Sequence, residues 1–421
     1  MAGWRRWAVA LGLALAAGAA PLRAEEDRAE QEPTDWPTAI SQLQQEVYRR
    51  PGFAQLREQL AIAHNNYGVQ LGDQKQWDLA VHEVEEAIRI DEANASFRTN
   101  LTTLYLNQAL SQQQAHDPEA ALETLEKAIA IDPNLARAYA MTGDIEYERQ
   151  HLKEAQAAWE QAVQLDPNLQ TVAKRLERVT QELPVESKFD RLPQTYFDLR
   201  YEEEVGRSAG FDLQEALFDA RRSVGSDFAY WPKHRIVALI YTADSFRRLR
   251  EETPEWVAGQ FDGKIRVPLP SAQLDVAAVK RILHHEYTHA LIYDLTGSRC
   301  PVWLNEGLAE YEEQKDTAGS FRALAAAYQE NRLVPWERLS AQFAPGMPVG
   351  EVQLGYEQAH SIARYFVERY SFWRIRKILE MLGEGHSWEE TCEETLHVKS
   401  SRVETAWREW LKDQLGGGMA P

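Results

Sequence analysis

The chemistry in this chain concentrates in one stretch, Arg281-Ile-Leu-His-His-Glu-Tyr-Thr-His-Ala290. Within it, His285, Glu286 and His289 read H-E-x-x-H. On a helix, residues four apart share a face, so the two imidazoles can hold one divalent cation. Glu286 stands beside them, placed to take a proton from a water that such a cation activates. That is the chemistry of metal-assisted hydrolysis. The plainer alternative is a surface helix carrying two solvated histidines. Val279, Ile282, Leu283, Ala290, Leu291 and Ile292 argue against it, because they surround the motif with apolar positions and draw the helix inward. Two histidines and a glutamate are costly to bury unless they are paired or bind a metal.

A second stretch, Val302-Trp-Leu-Asn-Glu-Gly-Leu-Ala-Glu-Tyr311, follows after a short loop and reads as another helix. A catalytic zinc takes three protein ligands and leaves one position open. Glu306 is the natural third ligand and completes a His2Glu set. Glu310 lies one turn further on. It reads either as a carboxylate that holds the outer nitrogen of a ligand histidine or as an ordinary helix glutamate.

The two motifs together, His285-Glu286-x-x-His289 followed by Trp303-Leu-Asn-Glu306-Gly-Leu-Ala309, resemble those of the gluzincin metallopeptidases, most closely the peptidase MA-like group. The resemblance implies one Zn2+ per chain held by His285, His289 and Glu306, with Glu286 as general base. It also implies a donor to the oxyanion from a Tyr or His in the C-terminal part. Tyr356 is the candidate for that donor, with His360 one turn behind it. In gluzincins the last strand before the metal helix runs along the cleft, so by that resemblance residues 263–267 would pair with substrate backbone; the sequence alone reads equally as an ordinary edge strand. One departure stands out. The aminopeptidase branch carries a Gly-x-Met-Glu-Asn strand, and the matching stretch here, Phe261-Asp-Gly-Lys-Ile-Arg-Val-Pro268, lacks it.

The elements that must position these residues begin with a repeat. Ala80-x6-Ala87, Ala121-x6-Ala128 and Ala155-x6-Ala162 are one phrase written three times, each followed by an Asp-containing stop at Asp91, Asp132 and Asp166. The second and third copies are 34 residues apart; the first and second are 41 apart, which places extra residues around 111–117. Gly68 and Gly143 each stand twelve residues before a phrase. The pattern resembles tetratricopeptide (TPR) repeats, in which small residues let paired helices approach closely. Tyr67, Tyr105 and Tyr139 read either as lining the concave surface of such a solenoid or as core. That surface suits a peptide or protein partner.

The expected organisation is a signal peptide over residues 1–24, a flexible leader over 25–53 that turns helical near Ile40, TPR repeats over 54–183, a linker over 184–194, a metallopeptidase domain over 195–415 and a short tail. The fold class is α+β: an all-α TPR solenoid followed by a thermolysin- or gluzincin-like domain, with a small sheet packed on helices and a helical C-terminal part. Strands are expected at 195–201, 235–241 (central) and 264–269, and helices at 211–224, 245–250, 319–331, 356–370, 372–382 and 403–415. Residues 336–348 read as a mixed loop, and Ser387-Trp-Glu-Glu390 as a capping box.

The formal charge of −19 over 421 residues disfavours nucleic acid and anionic membrane surfaces as partners. Arg5 and Arg6, the apolar run at 7–20 and Pro21-Leu-Arg-Ala24 have the form of a cleaved secretory signal, so the product is expected to be exported, periplasmic or extracellular. The only two cysteines, Cys300 and Cys392, read either as a disulfide, which an oxidising compartment favours, or as two buried free thiols. A reading of a different class remains beside the enzyme: a catalytically silent TPR scaffold of the cell envelope with a vestigial peptidase domain. Metal content and a peptide-pool digest separate the two.

Overall fold

The computed structural model describes residues 35–249, 260–261, 263–269, 275–315, 321–344 and 346–416. The expected signal segment and the first part of the leader lie outside them. The chain divides into two compact units, Met1–Leu104 and Tyr105–Pro421.

In the first unit, α1 (Trp36–Arg49) precedes the antiparallel pair α2 (Ala54–Asp73) and α3 (Trp77–Ile90), and α4 (Ala95–Gln114) begins. The leader is therefore helical from Trp36 on, earlier than expected. Asp35 caps the helix by accepting from the Thr38 amide, Pro37 sits in its first turn, and Ile40 is buried with Leu60 and Ala63. These interactions order a stretch whose composition alone reads as flexible. Gly68 lies where a Cβ would overlap the Val84 side chain and the Ala80 carbonyl. That is the close approach the spacing requires.

The second unit continues with α5 (Pro118–Ile131), α6 (Ala136–Glu148), α7 (Leu152–Leu165) and α8 (Gln170–Glu186). Every alanine of the repeated phrase in both units is fully buried. At each stop the Asp side chain accepts a backbone N–H two residues on: Asp91 from Ala93, Asp132 from Asn134 and Asp166 from Asn168. These Asx turns end one helix and aim the next. A Cβ on Gly143 would overlap the Trp159 ring. The extra residues appear as added length in α4, which has 20 residues against 13 in α6. Tyr105 is buried, and Tyr67 and Tyr139 pack against apolar clusters, so all three are packing residues.

The stretch expected as a linker is structured. Helix α8 runs through Pro184 to Glu186, and β1 (Asp190–Pro193) follows. Then come β2 (Phe197–Tyr201), α9 (Arg207–Phe228), β3 (Ile236–Thr242), α10 (Ala243–Leu249), β4 (Gln260–Phe261) and β5 (Ile265–Leu269). The sheet order is β1-β2-β3-β5-β4, with β3 central and parallel to both neighbours. Ile236, Ala238, Ile240, Ile265, Val267 and Leu269 share one core with α9 and with α11 (Val276–Thr296). The opposite face of β3 presents Val237, Leu239 and Tyr241 to Phe246 of α10. Both faces of β3 are covered, which explains its unbroken apolar run.

That opposite face also carries a buried ionic network. Arg266 of β5 has no solvent exposure, and its Nη1 lies 2.7 Å from Glu186. Its Nη2 lies 3.4 Å from Glu182 and donates to the Tyr147 hydroxyl at 2.8 Å. Tyr241 donates to Glu186 at 2.6 Å. The network fastens the end of α8 and α6 to the sheet. It also gives the physical reason that α8 continues past its proline: the last turn presents Glu186 to Arg266.

The remaining helices are α12 (Val302–Gln314), α13 (Arg322–Gln329), α14 (Trp336–Leu339), α15 (Val349–Glu384), α16 (Trp388–Leu396) and α17 (Ser400–Gly416). Residues 340–343, expected as loop, form a 3₁₀ turn. Helix α15 breaks at Ser371 (φ 65, ψ 160), where the sequence separates two helices. The Ser387 capping box is present. Cys300 and Cys392 are free thiols, which decides against the disulfide. Burial raises both thiol pKa values, that of Cys392 to about 12.

Replacing Arg266 by Ala strands two buried carboxylates, and loss of one partner from such a network costs about 3–5 kcal/mol; a large drop in the urea midpoint is expected. A second expectation concerns acid. Burial works to raise the Asp198 pKa, but Arg191 at 2.6 Å and Arg200 at 2.9 Å hold it below its ordinary value. The resulting stability is present above the unfolded carboxyl value of about 3.9 and is lost as pH falls through the folded value. Thermal melts from pH 5 to 2 should therefore show a shallower acid decline for Asp198→Asn than for wild type.

Candidate metal centre

Helix α11 begins at Asp275, whose side chain accepts from the Ala277 and Ala278 amides at 3.1 Å. It ends at Gly297 in the left-handed region (φ 52). Leu283, Tyr287 and Leu291 face the core. Glu286 and His289 are buried, and His285 is nearly so. His284, adjacent to the motif, turns elsewhere: its Nδ1 meets the Lys280 carbonyl oxygen at 2.7 Å.

Glu306 of α12 approaches both rings. Its Oε2 lies 3.8 Å from His285 Nε2 and 3.7 Å from His289 Nε2. A tetrahedral zinc with bonds of about 2.0–2.2 Å needs ligand atoms roughly 3.4 Å apart. The two sides to the carboxylate are within a few tenths of an ångström of that, and all three atoms lie within 4.8 Å of one another. The donor set therefore fits a single dication, with both Nε2 atoms turned toward it.

The outer nitrogens are held as well. His285 Nδ1 meets Glu313 Oε2 at 3.0 Å, and His289 Nδ1 meets Asn305 Oδ1 at 3.1 Å. This revises the expectation for Glu310, which lies 3.9 Å from His285 Nδ1 and accepts from Gln314 Nε2. Glu306, Glu310 and Glu313 follow an i, i+4, i+7 pattern, so all three lie along one face of α12. The pattern is visible in the sequence, and it was Glu313 that reading the motif alone missed. Asn305 was missed too; its only signal is adjacency to Glu306.

Four carboxylates surround His285. Burial works to lower its pKa, but the Glu313 contact and the charges of Glu286, Glu306 and Glu310 outweigh it and push the ring up to about 10. Burial lowers His289, with Glu306 opposing. Burial also raises Glu310 to about 7. The pocket favours positive charge.

Tyr356 of α15 reaches this pocket. Burial, then the charges of Glu306, Glu310 and Glu286, raise its pKa, and its hydroxyl hydrogen-bonds the Glu306 side chain. Gly307 makes the approach possible: a Cβ there would overlap the Ala359 carbonyl oxygen of α15. His360 packs between the rings of Phe321 and Tyr311, with centroids 5.1 and 6.3 Å away. Burial and Arg364 lower it to about 4. It sits behind Tyr356, outside the ligand cluster. The strand expected to take substrate is not a free edge along its length: Ile265 and Arg266 of β5 already pair with β4.

Comparison with known families agrees with this geometry. Residues 253–413 match the model of the Peptidase MA superfamily. This chain carries a Peptidase MA superfamily domain. Residues 102–135 match the tetratricopeptide repeat. No curated protein matches the chain. Among solved structures, the first TPR of Spaghetti (RPAP3) bound to HSP90 peptide SRMEEVD is 22% identical, over 30% of this chain and 95% of that one, at a TM-score of 0.23. The peptidase domain spans both motif helices and Tyr356, so its match falls on the ligand cluster.

The contrast between Glu313 and Glu310 can be measured. Losing a carboxylate that orients a ligand histidine costs roughly 10–100-fold in metal affinity. Chelator competition should therefore place Glu313→Gln one to two decades below wild type and Glu310→Gln closer to it.

Proposed function

We propose that the chain is an exported zinc-dependent metallopeptidase that hydrolyses peptide bonds, with the TPR array serving as a surface for substrate or a protein partner. The observation that carries the reading is the triangle of His285 Nε2, His289 Nε2 and Glu306 Oε2, with 3.7 and 3.8 Å sides to the carboxylate, inside a Peptidase MA domain. The His2Glu set is that of an open catalytic zinc, not of the Cys-rich closed structural kind.

His285, His289 and Glu306 would hold the ion. Zinc bound there would lower the pKa of water toward 7 and polarise the scissile carbonyl. Glu286 accepts the water proton as oxygen attacks the carbonyl carbon, and delivers it to the departing amine nitrogen. Tyr356 donates its hydroxyl to the developing oxyanion. Glu313 and Asn305 hold the ligand rings in one tautomer and orientation. His360 packs against Phe321 and Tyr311 and takes no part in the step. Export rests on the N-terminal segment, and recovery of the mature chain outside the cytoplasm, cut after Ala24, is its test.

Glu286→Gln should keep its metal and lose cleavage of a mixed peptide pool by roughly 10²–10⁴-fold. Tyr356→Phe should lose activity by roughly 10²–10³-fold, mainly in kcat. Wild-type turnover in Glu286→Gln would remove the mechanism. Wild type that binds no metal and cuts nothing would leave the silent scaffold.

A further inference from the structure

A second group of ligand-type side chains lies outside the site described above. His116, His234 and Asp294 come from three separate segments, and their ligand atoms lie within 4.8 Å of one another. Asp294 belongs to α11, five residues beyond His289. At 3.6 residues per turn, that is about 140° around the helix and roughly 7.5 Å along it, so the two groups occupy different faces. His234 lies in the loop before β3. His116 lies in the turn between α4 and α5. It holds a left-handed backbone conformation (φ 58).

The atoms converge on one point. His116 Nε2 is 2.8 Å from Asp294 Oδ1, and His234 Nδ1 is 3.2 Å from the same oxygen. The two imidazoles stack at 4.3 Å, only 14° from parallel. Asp294 Oδ2 accepts from the Tyr230 hydroxyl. Yet Oδ1 of Asp294 and Nδ1 of His234 are both fully buried and lack an aligned hydrogen bond. The Asp294 side chain is only 3% exposed. Buried polar atoms are ordinarily satisfied. Two ring nitrogens and a carboxylate oxygen gathered this closely, with 2.8 and 3.2 Å to the carboxylate, form a donor set that one cation can share in place of the protons. A hydroxyl on the other carboxylate oxygen is the outer-sphere support that metal ligands ordinarily have.

We propose that His116 Nε2, His234 Nδ1 and Asp294 Oδ1 form a second divalent-cation site. Its N2O donor set suits Zn2+. The ion ties the α4–α5 turn of the repeat array to the C-terminal end of α11, the helix that carries His285 and His289. The site lies apart from the His285, His289 and Glu306 cluster and holds in place the helix that carries it.

The test is metal stoichiometry by equilibrium dialysis of the full chain against Zn2+, in wild type, His116→Ala, Asp294→Asn and His289→Ala. His116 is 44% exposed, so its replacement opens no buried cavity, although it removes the stacking on His234. Expected are two ions in wild type and one in each variant, with His116→Ala combined with His289→Ala binding none. Co2+ substitution should give a visible absorption band in His289→Ala that vanishes when His116→Ala is added. Zn2+ should raise the Tm of His289→Ala but not that of the double variant. Equal metal content in wild type and His116→Ala would overturn the site and leave an ion-paired cluster. If the catalytic centre alone failed, wild type would bind one ion and His116→Ala none, so the two failures are distinguishable.

Discussion

A buried histidine ringed by four carboxylates is the constraint on which the candidate metal centre depends. Glu286, Glu306, Glu310 and Glu313 all act on His285, and like charges this close repel unless positive charge sits among them. A proton on His285 is one answer. A dication is a better one, because it serves Glu306 and both imidazoles at once. Several local features follow from this arrangement. Asn305 and Glu313 face the outer nitrogens, and Gly307 has no side chain, so α15 can bring Tyr356 against Glu306.

The same logic of buried charge holds the repeat array to the sheet within residues 105–421. Arg266 is fully buried between Glu182, Glu186 and two tyrosine hydroxyls. A buried ionic network is not a strong source of net stability, but it is specific, since only one geometry satisfies all its members. It thereby sets where α8 ends and which face of β5 is polar. Ile265 and Val267 point to the core with α11, and Arg266 between them points the other way. Arg266 thus ties the strand beside the candidate metal-binding helix to the end of the repeat array, with Tyr241 adding a second bond to Glu186.

Much of this was legible in the sequence. The repeated alanine phrase, the glycines twelve before it and the Asp stops each have one physical meaning, and all three appear as close helix packing or Asx turns. The central apolar strand, the capping box and the break near Ser371 were readable for similar local reasons. The convergence of His285, His289 and Glu306 was readable because two short motifs on neighbouring helices carry it. What escaped was set by long-range pairing. Helix α8 passes its proline because Arg266 lies 80 residues away. The linker ends in a strand because β2 is there to pair with it. Glu310 and Glu313 sit on one face of α12, and only the placement of His285 decides between them. That the two cysteines are free was not legible, because pairing depends on geometry that spacing does not encode.

The central claim is that two imidazoles and one carboxylate, from neighbouring helices, grip a single zinc ion. Anomalous diffraction at the zinc edge, from crystals of the full chain, tests it most directly. The account predicts a peak about 2.0–2.2 Å from His285 Nε2, His289 Nε2 and a Glu306 oxygen. A zinc-loaded crystal with no peak there, or with Glu306 turned away from both rings, would contradict it.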